Sequence, residues 1–242
     1  ACSLKHLKSL YTFVLADSLA TIYSRTCHSV SRYLQAFGDT TKPIKFDKLL
    51  TFNYDIFRIE LENDPTYRIG SSDNLFSYDF VYFDKEALTC QSSNHGIKIY
   101  KANEIYTTAI VCAVAGATTI HDKSAIIEND GIFICCADKV FCLSLPDLTL
   151  NWMTQVDMVT CFGIYKADNG LFTHGEIQVS RLDKQGNIIW ETGLKDIIVN
   201  IDKADDCFIL HDNFIELMDF NSDKYELGFD GKFIEREKNA CS

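Results

Sequence analysis

The sequence predicts an all-β fold built from repeats, a β-propeller of five or six blades. Three stretches share a pattern of an apolar strand, a polar turn, a second apolar strand and a closing aromatic residue. Their first turns fall at positions 138, 175 and 212, at intervals of 37 residues, and the closing residues are Trp152, Trp190 and Tyr225. A fixed period of this length is typical of repeat architectures. A unit of several short strands buries both its faces only by packing against its neighbours, which favours blades arranged around an axis.

Strand patterns are dense throughout the chain after residue 50. Short runs rich in β-branched and aromatic residues end at turn residues at intervals of about ten residues, as expected for an all-β domain. Such runs cover residues 54–62, 80–83, 97–100 and 105–114 ahead of the clearest repeats. Asp130-Gly131, Asn169-Gly170 and Asp230-Gly231 mark turns at the entries of the repeats. We therefore expect residues 51–242 to form one domain of successive small sheets.

One repeat carries a more specific signature. The stretch Leu182-Asp183-Lys184-Gln185-Gly186-Asn187-Ile188-Ile189-Trp190 combines a leucine–aspartate pair, a turn, glycine–asparagine and an apolar pair before tryptophan. It resembles the strand–turn–strand–tryptophan signature of the quinoprotein-like (PQQ-like) β-propeller repeat. The resemblance covers residues 130–230 well and residues 80–129 loosely. It implies closing aromatic residues packed between adjacent sheets. It implies no activity, and because the repeats lack a quinone or metal constellation we expect no cofactor and no metal.

Residues 1–50 form a separate N-terminal segment with two interpretations. Apolar residues recur at helical spacing, yet residues 11–23 also match the strand–turn–strand pattern of residues 134–144. A first blade and a helix both stay open for residues 11–23. A helix is predicted over residues 29–37 in either case, with Gly38 as its stop.

The charge of the chain restricts its partners. The net charge is −11, and this balance disfavours nucleic-acid backbones and anionic membranes, which attract clustered lysine and arginine. No apolar run approaches the roughly 18 residues of a membrane-spanning helix. We therefore expect neither a nucleic acid nor a membrane as partner, and we consider a basic protein the best match.

The ten cysteines do not predict a disulfide framework. Cys135, Cys136 and Cys142 lie inside apolar strand patterns, and Cys112 and Cys161 have apolar neighbours as well. Adjacent residues of a strand point to opposite faces of the sheet, so Cys135 and Cys136 cannot easily bind one metal ion. Buried free cysteine behaves as a small apolar residue. Reduced core cysteines indicate a cytoplasmic location.

Two groups of residues are candidates for function. His174 and Glu176 flank Gly175, and Asp212 lies 37 residues further on; these turns are expected to form a solvated rim that binds a partner. His121 and Asp122 follow the small-residue run 113–117, which suits the crowded axis of a propeller. They are weak catalytic candidates at the mouth of a channel.

These observations lead to three functional hypotheses. The first is a non-catalytic intracellular protein-binding module, in its specific form an acidic immunity or inhibitor-type protein that covers a basic toxin or enzyme. The alternative is a propeller hydrolase or lyase that uses His121 and Asp122. The third is carbohydrate binding by Tyr165 or Tyr225 on an exposed surface.

Overall fold

The computed structural model describes residues 48–167, 170–199 and 207–235. These residues all fall in one compact unit that begins at Lys45. The two interpretations of residues 11–23 and the helix predicted over residues 29–37 lie outside the described residues. No α-helix occurs among the residues that are described, and the one short helix, Lys85–Leu88, is a 3-10 helix. The predicted all-β fold class is confirmed.

Sheet A is the first of four sheets that follow one another along the chain. Its strands run in the order β1-β2-β4-β5-β3, and β3 is parallel to β5 while the other pairs are antiparallel. The strands are β1 (Leu50–Tyr54), β2 (Phe57–Asn63), β3 (Phe80–Phe83), β4 (Ser93–Lys101) and β5 (Glu104–Ala113). Alternation of side chains in β5 places Val111 on the face that meets the next sheet and Cys112 on the outer face.

Sheets B and C are antiparallel meanders of four strands each. Sheet B contains β6 (Ala125–Glu128), β7 (Gly131–Cys136), β8 (Lys139–Ser144) and β9 (Leu150–Gln155). Sheet C contains β10 (Cys161–Ala167), β11 (Gly170–Gly175), β12 (Gln178–Leu182) and β13 (Ile188–Gly193). The inner strands β7 and β11 are buried along their whole length, because both faces of these sheets meet a neighbour. The edge strands β9 and β13 alternate between half-buried and exposed residues.

The sheets pack face to face in chain order, as blades do. One core lies between sheets A and B, the second between B and C, and the third between C and D. Cys136 faces the first core and Cys135 faces the second, so the predicted opposite orientation of these neighbours is confirmed. The seven cysteines among the described residues are free, and all but Cys90 are buried.

Each of two tryptophans holds its own sheet to the next one. Trp152 in β9 packs on Gly186, in a turn of sheet C, and its indole N–H donates to a carbonyl of that turn at 3.1 Å. Trp190 in β13 packs in the same way on Gly231, with an indole hydrogen bond of 3.0 Å. Both glycines have positive φ, +82° and +81°, and a Cβ on either would overlap the indole ring. The implied packing of these two tryptophans between sheets is confirmed.

Sheet D is shifted by one strand relative to the predicted repeat. It contains β14 (Phe208–Leu210), β15 (Phe214–Met218) and β16 (Lys224–Gly228). Trp152 packs on the turn that follows β12, and Trp190 packs in the same way on the turn that follows β16, so β16 corresponds to β12. A bridge between Leu227 and Phe233 marks the fourth strand of sheet D. Tyr225 packs against the core between sheets C and D, as predicted, but it lies in β16 and is not equivalent to Trp152 and Trp190. The turn at 212 joins the first two strands of sheet D and corresponds to the turn between β10 and β11. The prediction that positions 138, 175 and 212 are equivalent is therefore wrong for position 212.

An insertion between β2 and β4, residues 64–92, covers the outer face of sheet A. Tyr67 and Tyr78 pack there on Ile110 and Cys112. Tyr78 lies so close to Gly96 that no side chain fits at that position. The insertion therefore occupies a face on which a regular blade would meet a neighbour. The described residues form four sheets, and a ring of five or six blades stays a prediction.

The turns of the sheets lie at two opposite ends. The upper end comprises the turns at 55–56, 102–103, 129–130, 145–149, 183–187, 211–213 and 229–232. The lower end comprises the turns at 137–138, 176–177 and 219–223, with the loop 114–124. Contacts between sheets fix this alignment: Tyr54 Oη donates to Asp130 at 2.7 Å at the upper end, and the Cys161 N–H donates to the Ala137 carbonyl at 2.7 Å at the lower end.

Candidate functional site

The upper end carries an acidic rim to which all four sheets contribute. The acidic rim consists of Asp55 and Glu104 from sheet A, Asp130 and Asp147 from sheet B, Asp183 from sheet C, and Asp212 and Asp230 from sheet D. All of these residues except Asp183 are exposed. Turns favour aspartate because its short side chain accepts hydrogen bonds from nearby backbone N–H groups. The predicted binding residue Asp212 thus lies on an exposed acidic surface.

Most acids of the rim form no ion pair with the lysines of the upper end. Lys166 and Lys184 both pair with Glu128, at 3.2 and 4.0 Å, and Lys232 pairs with Asp230 at 3.6 Å. No lysine or arginine of the described residues forms an ion pair with the other six rim acids. The seven acids of the rim outnumber the lysines of the upper end, which are Lys101, Lys166, Lys184 and Lys232. This excess of negative charge attracts a cationic surface.

Two rim acids also shape their own turns. Asp183 accepts the backbone N–H groups of Gln185 and Asn187 at 2.9 and 2.8 Å, and hydrogen bonds, first that of the Asn187 side chain, lower its pKa. Asp230 accepts the Lys232 N–H at 3.2 Å. Asp55, Glu104 and the remaining rim acids have no such bond to the backbone among the described residues. Two of these remaining acids accept tyrosine hydroxyl groups: Asp130 accepts that of Tyr54 at 2.7 Å and Asp147 that of Tyr106 at 3.4 Å.

A cleft of about 300 Å³ opens beside the rim, between sheets B and C. Glu128 and Asp130 line one side and Lys184 lines the other. Its floor is formed by Gly131, Phe133 and Cys142. Since Lys184 and Lys166 pair with Glu128, the cleft carries charges of both signs and differs in this respect from the rim.

The lower end, in contrast, contains a network of buried ionisable groups, although Glu86, Asp122 and Asp223 at this end are exposed. Lys139 Nζ lies 2.9 Å from Asp84 and 2.5 Å from Asp138, and all three side chains are buried. Burial raises the pKa of Asp138. Burial also opposes the charge of Lys139, but the hydrogen bonds with the two carboxylates prevail and raise its pKa. This network connects the insertion of sheet A with the β7–β8 turn of sheet B.

His174 and Glu176 lie in this buried region, not on a solvated rim. His174 Nε2 donates to the Ile198 carbonyl at 3.0 Å, and its ring stacks on Phe208. Burial lowers the pKa of His174 to about 4, so the ring is neutral near pH 7. Glu176 accepts the Thr160 hydroxyl at 2.9 Å, and burial raises its pKa. The expected solvated turn is therefore not found here, because His174 is buried and Glu176 is half-buried beside Ile198. A binding role for these two residues stays a prediction.

His95 and Asp157 are two further buried polar residues of the lower end. The His95 Nε2 atom lies 3.1 Å from Thr118 Oγ1, and burial lowers the pKa of His95 to about 4. Asp157 accepts four backbone N–H groups at 2.6–3.2 Å, two from its own loop and two from residues 177–178. These hydrogen bonds join the loop before sheet C to a turn within it. The lower end is therefore built for cohesion between sheets.

His121 and Asp122 lie in the loop 114–124 and are engaged with near neighbours. His121 Nδ1 accepts the Lys123 N–H at 3.2 Å. Asp122 pairs with Lys48 at 2.6 Å, and this contact lowers its pKa. Across residues 48–167, 170–199 and 207–235, no three His, Cys, Asp or Glu side chains are grouped as a metal site. The charge of His121 also acts on the buried His95 and His174, and both of these histidines have a lowered pKa because of burial first of all.

The two tyrosines considered for carbohydrate binding take part in packing. Tyr165 stacks on Phe208 with ring centroids 4.4 Å apart. Tyr225 donates to Asp219 at 2.8 Å and lies beside Phe233. Both rings are half-buried, so neither offers a free flat surface for a sugar.

Comparisons with known proteins give limited overlap. No family model and no curated protein matches the chain. Among solved structures, it is similar to the computationally designed Ika4 protein (9% identity, 52% of this chain and 79% of that chain, TM-score 0.39). It is also similar to the AfRom2 CNH domain (8% identity, 84% and 61%, TM-score 0.42) and to HIRA(644-1017) (10% identity, 78% and 52%, TM-score 0.42). The chain thus spans between half and two thirds of the latter two. The described residues also contain no helix that is long and apolar enough to cross a membrane.

Proposed function

We propose that this protein is a non-catalytic binding module for a basic protein, with the acidic rim as its contact surface. The observation that carries the proposal is that turns from all four sheets place acids at one end, six of them without a cationic partner among the described residues. Acids on loops held by a scaffold of packed sheets keep their positions without the cost of ordering a flexible segment.

The specific form of the proposal is an immunity or inhibitor-type protein that covers a basic toxin or enzyme. A field of one sign accelerates the encounter with an oppositely charged partner and disfavours partners of like charge. The net charge of −11 acts in the same direction at longer range. The free cysteines of the described residues support a cytoplasmic location for this activity.

The hydrolase or lyase alternative gains no support from the contacts of its candidate residues. Asp122 is committed to an ion pair with Lys48, and His121 to the backbone of Lys123. His174, the histidine next to the β11–β12 turn, is neutral and donates a hydrogen bond to the Ile198 carbonyl. A general base needs a free lone pair within reach of a substrate.

Capture of partners by matched charge variants tests the proposal. The rim variant carries Asp55→Asn, Asp147→Asn and Asp212→Asn, and the control variant carries Glu86→Gln, Asp122→Asn and Asp223→Asn from the lower end. Both variants lose three negative charges, so their net charge is equal. Immobilised wild-type protein and both variants are incubated with lysate of the source organism at low and high salt, and bound proteins are identified by mass spectrometry.

We expect the wild-type and control proteins to retain the same basic protein at low salt, and the rim variant to retain at least about tenfold less. High salt should release the partner from all three, because screening weakens exposed charges. Equal capture by the rim and control variants would contradict the rim as contact surface. Capture of acidic or neutral proteins alone, or of none, would contradict the proposed function itself.

A further inference from the structure

Two buried thiols from neighbouring sheets touch each other. Cys135 lies in β7 of sheet B and Cys161 begins β10 of sheet C, and their Sγ atoms are 3.3 Å apart. Both side chains are buried in the core between the two sheets. A disulfide has a sulfur–sulfur distance of about 2.05 Å, so the two atoms need to approach by only about 1.2 Å.

The backbone holds both cysteines in position for this approach. The Cys135 N–H donates to the Ser124 carbonyl at 2.8 Å, and the Cys161 N–H donates to the Ala137 carbonyl at 2.7 Å. The first bond continues the pairing of β6 with β7 within sheet B, and the second ties the start of β10 to the turn that follows β7. The Cys161 backbone is thereby held close to the strand that carries Cys135.

Competing thiols are directed elsewhere. Cys136 faces sheet A, where its Sγ lies 3.5 Å from the Ser93 carbonyl. Cys142 shares the core with the pair, but its described sulfur contact is with the Asn151 amide at 3.7 Å. Among the hydrogen bonds of the described cysteines, the one between Cys135 and Cys161 joins two sulfur atoms.

We propose that Cys135 and Cys161 are a redox modification site that closes into an inter-sheet disulfide when the chain folds in the presence of a disulfide oxidant. One thiolate attacks glutathione disulfide and displaces one glutathione thiolate, which leaves a mixed disulfide on the protein. The second thiolate attacks the protein sulfur of that mixed disulfide and displaces the second glutathione. Two cysteine thiols are oxidised and one glutathione disulfide is reduced to two glutathiones, whose thiolates take up the two protons that the cysteine thiols lose.

Burial sets the time at which this reaction is possible. The hydrogen bond with Cys135 and burial raise the pKa of Cys161, so Cys161 has little thiolate in the folded protein. Glutathione cannot reach either sulfur in the packed core. The pair therefore closes during folding and afterwards resists both oxidants and reductants, so that its state reports the compartment in which the chain folded.

Peptide mapping after refolding tests the proposal on the full chain. Unfolded, reduced protein is refolded either with glutathione disulfide or with reductant alone, free thiols are alkylated, and the protein is digested with trypsin without reduction. Trypsin leaves Cys135 and Cys136 together in peptide 124–139, and Cys142 and Cys161 together in peptide 140–166. We expect a link between these two peptides after oxidative refolding, and no link after refolding in reductant.

Alanine variants assign the sulfurs within these peptides. The link should be lost in Cys135→Ala and Cys161→Ala and kept in Cys136→Ala and Cys142→Ala. The linked wild-type protein should also unfold at a higher urea concentration than the reduced protein. Both thiols alkylated after oxidative refolding of the wild type, or a link that survives in Cys135→Ala, would overturn the proposal. Fragmentation of the linked wild-type peptides assigns the same bond if a variant fails to fold.

Discussion

The two ends of the sheets use charge in opposite ways. At the lower end, Asp84, Asp138 and Lys139 are buried in one ionic network, and Asp157 joins two segments through four hydrogen bonds. At the upper end, six acidic rim residues have no described cationic partner, and the sheets are held by tryptophans packed on glycines. Buried charges are costly to disturb, whereas exposed charges contribute little to stability. The lower end therefore secures the fold and leaves the upper end available for binding.

The largest expected effect follows from removal of the buried cation. Lys139→Met leaves two buried carboxylates that repel each other, and we expect the free energy of unfolding to fall by about 3–5 kcal/mol. Lys184→Met at the upper end removes a lysine whose side chain is 57% exposed and 4.0 Å from Glu128, and the expected loss is under about 1 kcal/mol. Urea unfolding measures both. Equal losses would contradict the contrast between the two ends.

Acid should weaken the lower end through its histidines. The folded pKa of His174 is about 4 and its unfolded pKa is 6.5. The unfolded chain therefore takes up a proton first as the pH falls, and stability decreases between pH 6.5 and pH 4. The His174 contribution amounts to about 3 kcal/mol at pH 4. Urea unfolding of His174→Gln should show a smaller loss over this range than the wild type.

Replacement of His211 provides the matched control for the pH experiment. His211 lies in the turn before β15 and its side chain is 38% exposed. His211→Gln should leave the decrease between pH 6.5 and pH 4 nearly as steep as in the wild type, because the variant retains the buried His174 to which the decrease is assigned. A curve for His174→Gln that coincides with the wild-type curve would show that this histidine does not cause the decrease.

A smaller effect tests the packing that holds the upper end. Gly186→Ala places a methyl group against the Trp152 ring at a φ of +82°, whereas Gly70→Ala, at a φ of +73°, meets no atom within 4 Å. Both variants suffer the cost of the left-handed conformation, about 1–2 kcal/mol. The overlap with Trp152 should add about 2 kcal/mol to Gly186→Ala alone. Equal unfolding free energies for the two variants would show that the tryptophan does not depend on the glycine.

The smallest expected effect concerns the rim itself. The combined rim variant, Asp55→Asn, Asp147→Asn and Asp212→Asn, should change the unfolding free energy by less than about 0.5 kcal/mol per substitution. These side chains are exposed, and removal of like charges also relieves repulsion within the rim. Urea unfolding and circular dichroism check this expectation. A large loss of stability would assign the rim acids to the fold instead of to binding.

The sequence predicts the sheets better than it predicts their environment. Strand alternation correctly places Cys135 and Cys136 on opposite faces, because the two-residue period is local. The equal intervals of 37 residues do not predict the phase of sheet D, because 14 residues separate β13 from β14 whereas five separate β9 from β10. Burial of His174 depends on Ile198, which reaches it from the next sheet. Such contacts between sheets have no signal in the local pattern.

The acidic rim shows the same limit at the candidate site. Of its residues, only Asp212 is identified from the sequence, and the argument for it relied on an equivalence that the structure corrects. Asp55 and Asp147 belong to turns of different sheets, about 90 residues apart in the chain. Only the register of the strands brings their turns to one end. Once the strand directions are known, the acidic residues of the upper turns can be recognised in the sequence as one group.

The association rate of the captured partner tests the central claim most directly. The rate constant is measured by stopped-flow for the wild type, the rim variant and the control variant at about 50 mM and about 500 mM salt. We predict that, at low salt, the wild type and the control variant associate at similar rates and the rim variant at least about tenfold more slowly, with the difference lost at high salt. Equal rates for the rim and control variants at low salt, or rates that do not change with salt, would contradict a binding surface formed by the acidic rim.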